Sequence, residues 1–286
     1  MNLILNILLY LILAPLCGGI LSGLDRKITA RMQSRIGPPV FQPFFDVLKL
    51  LQKENLVVRR SQNFYIGFFL VLVVFTGALF FTGKDILLVI FALTLAAIFF
   101  VLAGFKASSP YSFIGAQREL LQMMAYEPII ILSAVGMYMV THSFTVADII
   151  SFDRPLVYYL PGILFGLLYI LAMKFRKSPF DLSTSHHVHQ ELVKGITTEF
   201  SGKALAMIEV AHWFENMLVL GFIYIFFASF PVFGVVLSLA AYFLVILIDN
   251  TFARVKWQLA LLSCWMVALI FGFGNILILF ILPKST

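Results

Sequence analysis

Long apolar runs, separated by short and mostly basic polar stretches, set the pattern of this chain. A bilayer core about 30 Å thick requires roughly 18 to 25 mostly apolar residues of helix. Eight runs meet that requirement, at 2–24, 63–82, 86–105, 124–142, 156–175, 204–228, 231–250 and 258–281, with Glu127-Pro128 interrupting the fourth. The first run has no basic residue before it and is too long for a signal-peptide core, so it reads as a retained first helix. One polar stretch has helical periodicity of its own. From Phe41 to Lys53, Phe41, Phe44, Phe45, Leu48 and Leu51 share a face, while Gln42, Asp46, Lys49 and Lys53 lie around the other. This spacing predicts a helix lying along the membrane surface or against a partner.

Composition strengthens the picture: 61% of the 286 residues are hydrophobic and only 12% charged, too little polar surface for a water-soluble domain of this size. The expected fold is therefore all-α, a polytopic membrane protein with about eight transmembrane helices plus the short amphipathic helix in the first cytoplasmic loop. Residues 1–286 read as one integral membrane domain, with neither an internal repeat nor a long linker. Seventeen of the 20 Lys and Arg residues fall in four loops on one side, leaving only Lys84, Arg154 and Lys284 on the other. Basic loops stay cytoplasmic, so both termini are expected outside a cell membrane that the chain crosses several times.

The net charge of +6 follows from this topology, and no aromatic platform accompanies it, so nucleic acid is not an expected partner. Cys17 and Cys264 sit inside apolar runs and read as small buried residues. Two thiols cannot hold an iron–sulfur cluster, which needs about four. No phosphate-binding glycine loop, HExxH or GxSxG pattern is present, so no catalytic residue, resident metal or cofactor is expected in this chain.

The chemistry that remains is acid–base chemistry in the membrane. Glu127, Glu209, Glu215 and Asp249 lie within or at the ends of apolar runs, where a lipid-facing carboxylate is costly, so they should face the bundle interior or a hydrated cavity. Glu209, His212 and Glu215 are three apart on one helix, which makes a proton ladder. A set of buried groups satisfied by Ser, Thr or backbone partners is the alternative. His186, His187 and His189 form a loop cluster that reads as a titrating interface, since no nearby cysteine completes a zinc set.

Several motifs in order carry a family resemblance. They are Arg26-Lys27 with Ala30-Arg31-Met32-Gln33-Ser34-Arg35-Ile36-Gly37-Pro38, then Asp46-Val47-Leu48-Lys49-Leu50, Tyr126-Glu127, Ser178-Pro179-Phe180-Asp181-Leu182, Glu191-Leu192-Val193 and Thr198-Glu199-Phe200-Ser201-Gly202. In these the chain resembles the NuoH-type membrane subunit shared by respiratory complex I and the energy-converting nickel–iron hydrogenases. The segment 183–190 has no carboxylate where complex I members carry glutamates. That departure, with Ala211-His212-Trp213-Phe214-Glu215-Asn216, makes the chain more like the Ech-type hydrogenase branch.

The resemblance implies a membrane-anchor and coupling subunit of a ferredoxin-dependent, ion-translocating hydrogenase, part of an oxidoreductase complex without being its catalytic chain. The implied partners are hydrogenase large and small subunits, an iron–sulfur subunit and an antiporter-like membrane subunit; the nickel–iron centre and the clusters would reside in those partners. It also implies that Arg26, Lys27, Arg31, Gln33, Arg35, Gly37, Pro38 and Asp46 dock the catalytic arm. Glu127, Asp181, Glu191 and Glu199 would form a lateral proton path continued by Glu209, His212, Glu215 and Asp249. The alternatives are a quinone-site subunit of complex I and a stand-alone ion transporter.

Overall fold

The computed structural model describes residues 3–54, 60–180, 183 and 194–281. Their order is α1 (Leu3–Met32), α2 (Gln42–Gln52), α3 (Arg60–Phe81), α4 (Ile86–Lys106), α5 (Pro110–Thr141), the single turn α6 (Val146–Ile150), α7 (Pro161–Lys174), α8 (Gly202–Ile225), α9 (Pro231–Thr251), α10 (Trp257–Val267) and α11 (Gly274–Ile281). A π-helical segment, Ala268–Phe273, joins the last two into one rod. Among the described residues the only β-pairing is two isolated bridges.

Among the described residues, seven helices are long and apolar enough to cross a membrane: α1, α3, α4, α5, α8, α9 and the composite Trp257–Ile281. The run expected at 156–175 differs. It forms a 3-10 turn at Leu156–Tyr158 and then only the 14 residues of α7, about 21 Å of helix at about 1.5 Å per residue. A short helix beginning inside the bundle needs acceptors for its first N–H groups. Asn275 of α11 supplies one, its Oδ1 accepting from Gly162 N (2.9 Å) and Ile163 N (3.3 Å) while its Nδ2 donates to the Tyr159 carbonyl (3.0 Å). The buried amide thus caps α7 from a neighbouring helix.

Other boundaries shift for visible reasons. The helix expected at 124–142 is the second half of the 32-residue α5, which runs straight through Pro128; one backbone bond is forgone there, and the surrounding packing holds the helix. α1 continues to Met32, eight residues past its apolar run, so Arg26, Lys27 and Arg31 lie on helix. It ends where Ser34 takes a left-handed conformation (φ 57°) and Arg35 N reaches back to Ala30 O (2.7 Å). Gly37, also left-handed at φ 71°, then brings the chain against Ala30 so closely that a Cβ would collide with it. α1 turns Tyr10, Ala14 and Gly18 inward at helical spacing, which leaves Cys17 exposed on the outer face rather than buried. Cys264 is buried against the Met173 sulfur at 3.7 Å.

α5 and α8 form the interior. In α8, 67% of the membrane window is buried by protein, against 22% in α1 and in Trp257–Ile281, so the latter two face outward. The core around Ile129, Met137, Leu160, Ile163 and Ile170 lies where α5 meets α7. A second core fills the contact of α3 and α4 with α8, around Phe69, Phe100 and Ile208. The four basic loops meet at one end. There Gln33 Nε2 donates to Asn250 Oδ1 (3.1 Å), Val255 N to Pro179 O (2.7 Å) and Ser112 Oγ to Ile196 O (3.2 Å).

Candidate functional site

At that basic end a cavity of about 760 Å³ opens between α1, the segment after α7, the segment before α8, and α8 itself. Asp25, Arg26, Gln33, Arg35, Gly37 and Pro38 line one wall; Glu209, His212 and Asp249 line another. Two ion networks stand beside it, built on consecutive residues.

The first is centred on Arg176. α7 ends with Arg176 in the left-handed region (φ 54°), its N–H on Met173 O and the Lys177 N–H on Ala172 O. Glycine is the usual residue at such a helix end, and a side chain there costs about 1–2 kcal/mol. The position aims the guanidinium inward. Its two terminal nitrogens reach Glu119 Oε1 on α5 (3.5 Å) and Glu215 Oε2 on α8 (3.2 Å), both carboxylates being buried. The nitrogen that holds Glu215 also lies 2.7 Å from His212 Nδ1. Arginine offers no acceptor, so Nδ1 must accept, and the imidazole is the neutral tautomer protonated on Nε2. Its ring packs edge-on against Phe69 and Phe100.

Lys174, at the end of α7, completes the network, its Nζ 3.8 Å from Glu215 Oε1 and 3.9 Å above the centre of the Tyr126 ring. Two cations thus meet two carboxylates, and the group is neutral with His212 uncharged. Glu127, next to Tyr126, keeps a buried Oε1 with no hydrogen-bond partner among the described residues. Ser183 hydrogen-bonds Glu119 Oε2 through its hydroxyl, and its carbonyl accepts from Ile196 N (3.1 Å). Ile196 is in turn wedged between α4 and α5 at Gly104 and Gly115, where any Cβ would strike it. Ser183, between α7 and α8, therefore joins Ile196 directly to the buried acid.

The second network is centred on Lys177. Its Nζ lies 2.6 Å from Asp25 Oδ2 on α1 and 3.4 Å from Asp249 Oδ2 on α9, and Asp249 Oδ1 accepts from Ser178 N (2.9 Å). Burial alone would lower the Lys177 ammonium, but Asp25 and Asp249 more than offset it and hold it above the ordinary lysine range.

The residues singled out by sequence are placed unequally. His212 and Glu215 enter the Arg176 network, Asp249 the Lys177 network, and Glu209 the cavity wall. Glu199 is half-buried beside the cavity-lining Thr198 and Phe200 and is not among the lining residues. Asp181, Glu191, His186, His187 and His189 lie outside the described residues. In the first loop Arg26 does not reach the buried acids: it pairs with Asp46 at 2.6 Å, Gln42 also donates to that carboxylate (2.9 Å), and Arg35 hydrogen-bonds Gln33. Partial burial would raise the Asp46 carboxyl, yet Arg26 and Gln42 bring it below its usual value. Lys27 and Arg31 are exposed.

Sequence reasoning missed Glu119, Lys174, Arg176, Lys177, Asp25 and Ser183. In the sequence the cations count only as topology signals, and Glu119 lies outside the apolar window of α5. The available signal is the run Lys174-Phe175-Arg176-Lys177, three cations at the end of a buried helix.

An all-α fold of membrane-spanning helices with a polar cavity and buried ion networks at one end defines a multi-pass membrane protein with ionisable groups held inside it. The match to the NADH dehydrogenase family runs over residues 5–280, and the chain belongs to that family. Among its relatives, hydrogenase-4 component C of Escherichia coli (strain K12) is 31% identical over 214 residues, an alignment covering 69% of this chain and 65% of the relative. An NADH-quinone oxidoreductase subunit of Syntrophotalea carbinolica is 28% identical over 293 residues, covering 89% and 88%. A solved chain from the membrane-bound sulfane sulfur reductase, an archaeal respiratory membrane complex, superposes with a TM-score of 0.84 at 25% identity, over 96% of this chain and all of that one. The protein is thus a multi-pass membrane subunit of an oxidoreductase complex.

Proposed function

We propose that this chain is the membrane-anchor and coupling subunit of a ferredoxin-dependent, ion-translocating nickel–iron hydrogenase. The observation that carries the reading is the bond from Ser183 to Glu119, because it joins a loop at the basic end to the buried Arg176 network. In this reading the basic end is cytoplasmic and both termini are outside. The first loop docks the catalytic arm, formed by hydrogenase large and small subunits and an iron–sulfur subunit. Those partners hold the nickel–iron centre and clusters, which supply the electron transfer.

This chain's own part is to move protons or sodium-linked charge. When the redox step shifts the loop carrying Ser183, the grip on Glu119 changes and Arg176 is redistributed between Glu119 and Glu215. A neutral His212 at the cavity wall takes up a proton as Arg176 moves away. Lys174 then passes the charge imbalance to Glu127, on the way to an antiporter-like neighbour. Likeness to hydrogenase-4 component C supports the hydrogenase branch.

The cavity favours a second reading, a quinone-site subunit of complex I, since about 760 Å³ is ample for a ring headgroup. Nickel content and hydrogen evolution, measured on the gently solubilised, tagged complex with a reduced low-potential donor, decide between them. Nickel with hydrogen evolution establishes the hydrogenase. Quinone reduction without either overturns it.

A further inference from the structure

A smaller pocket of about 220 Å³ lies beside the main cavity, where α2 crosses α1 and α8, and nothing in the coupling scheme uses it. Arg26, Lys49, Lys53, Asp46, Glu209 and Trp213 line it, three cations against two carboxylates. Arg26 and Asp46 already neutralise each other at 2.6 Å, so the surplus positive charge belongs to the lysine side of the pocket. Trp213 is only 5% exposed, and its indole Nε1 has no hydrogen-bond partner among the described residues. A buried donor left without an acceptor is costly, a reason to expect one from outside the chain.

The outer face of α2 says what kind of molecule brings that acceptor. Phe44 packs on Trp213 with ring centres 5.1 Å apart, which fixes the helix to α8. Phe41, Phe45, Leu48 and Leu51 are left 59%, 58%, 56% and 46% exposed. Phe45 and Lys49 are four residues apart and so adjacent on the helix surface. An apolar stripe therefore runs directly into the cationic pocket. That combination fits an amphiphile with an anionic head and hydrocarbon tails.

We propose that this pocket binds the headgroup of an anionic phospholipid, its phosphodiester oxygens accepting from the Trp213 N–H and from Lys49 and Lys53, its acyl chains covering the α2 stripe. The bound lipid fills the seam between α2 and α8 and fixes the height of the first loop at the membrane surface. The inference is independent of which redox reaction the complex performs.

The test uses the purified full chain, delipidated in detergent and titrated with phosphatidylglycerol or phosphatidylcholine, binding being read by native mass spectrometry with inorganic phosphate as competitor. With about 1 kcal/mol per basic residue near an anionic lipid, phosphatidylglycerol should bind about tenfold tighter than phosphatidylcholine or better, and Lys49→Gln/Lys53→Gln should shrink that margin to about twofold. Both lysines are exposed, so thermal unfolding of the double variant should match the parent. Trp213→Phe keeps an aromatic ring and removes the donor, and should weaken phosphatidylglycerol about threefold or more. Equal affinity for the two lipids, an undiminished margin in the double variant, or displacement by millimolar phosphate would overturn the proposal.

Discussion

Arg176 and Lys177 are neighbours in sequence and opposites in role. The left-handed turn at Arg176 sends one side chain to Glu119 and Glu215 on α5 and α8, and the next to Asp25 and Asp249 on α1 and α9. The Arg176 network, here the inner one, balances two cations with two carboxylates and includes a neutral histidine. The Lys177 network, the outer one, sets a single cation against two carboxylates, and groups of both line the cavity. Taking ions out of water costs several kcal/mol each, which only charge balance and good geometry offset. Both sets border the cavity and are enclosed to a similar degree, the Arg176 side chain being 15% exposed and that of Lys177 20%, so charge balance is what separates them. On the proposed coupling scheme the difference makes the inner network the one that stores and passes a charge imbalance, and the outer one a tether.

Removing each central cation sharpens that contrast. Arg176→Met strands two buried carboxylates and should cost about 3–5 kcal/mol, read as loss of assembled complex and a large fall in thermal stability. Lys177→Met leaves Asp249 its bond from Ser178 N and should cost less, about 1–3 kcal/mol, with assembly retained. Equal losses would break the comparison. The Lys177 pair also carries a pH signature. Because its folded pKa is raised, its stabilisation is full below the ordinary lysine pKa and is lost as pH rises through the higher folded value. Parent protein should therefore lose stability at strongly alkaline pH by a step that Lys177→Met lacks, checked by thermal unfolding across pH.

Two smaller changes probe the edges. Ser183→Ala removes the loop's hold on Glu119 and should cost about 1 kcal/mol, with a lower ion-to-electron ratio in reconstituted vesicles. Asp46→Asn breaks an ion pair whose side chains are about 40% exposed, and should cost only about 0.2–1 kcal/mol, less at high salt.

Hydropathy made the long helices legible, because lipid leaves a helix little choice but to be apolar throughout. α7 escaped that logic: a side chain over a hundred residues away, Asn275, supplies its cap, and no local pattern shows it. The spacing of His212 and Glu215 was readable because i,i+3 neighbours meet on any helix, and they do meet here, at 3.5 Å. Arg176 and Lys174 were not, since a basic residue near a helix end carries the same topology signal whether it faces water or turns inward. Glu119 stayed hidden for a related reason, as α5 begins fourteen residues before its apolar window.

The most direct test of the coupling scheme is Glu127→Gln. Its buried Oε1 has no hydrogen-bond partner among the described residues, so an amide of the same shape disturbs little while removing the carboxylate. The complex carrying this change is reconstituted in vesicles, and hydrogen evolution and ion uptake are measured together. The account predicts hydrogen evolution near the parent rate with the ion gradient lost; a full gradient at the parent ratio would contradict it.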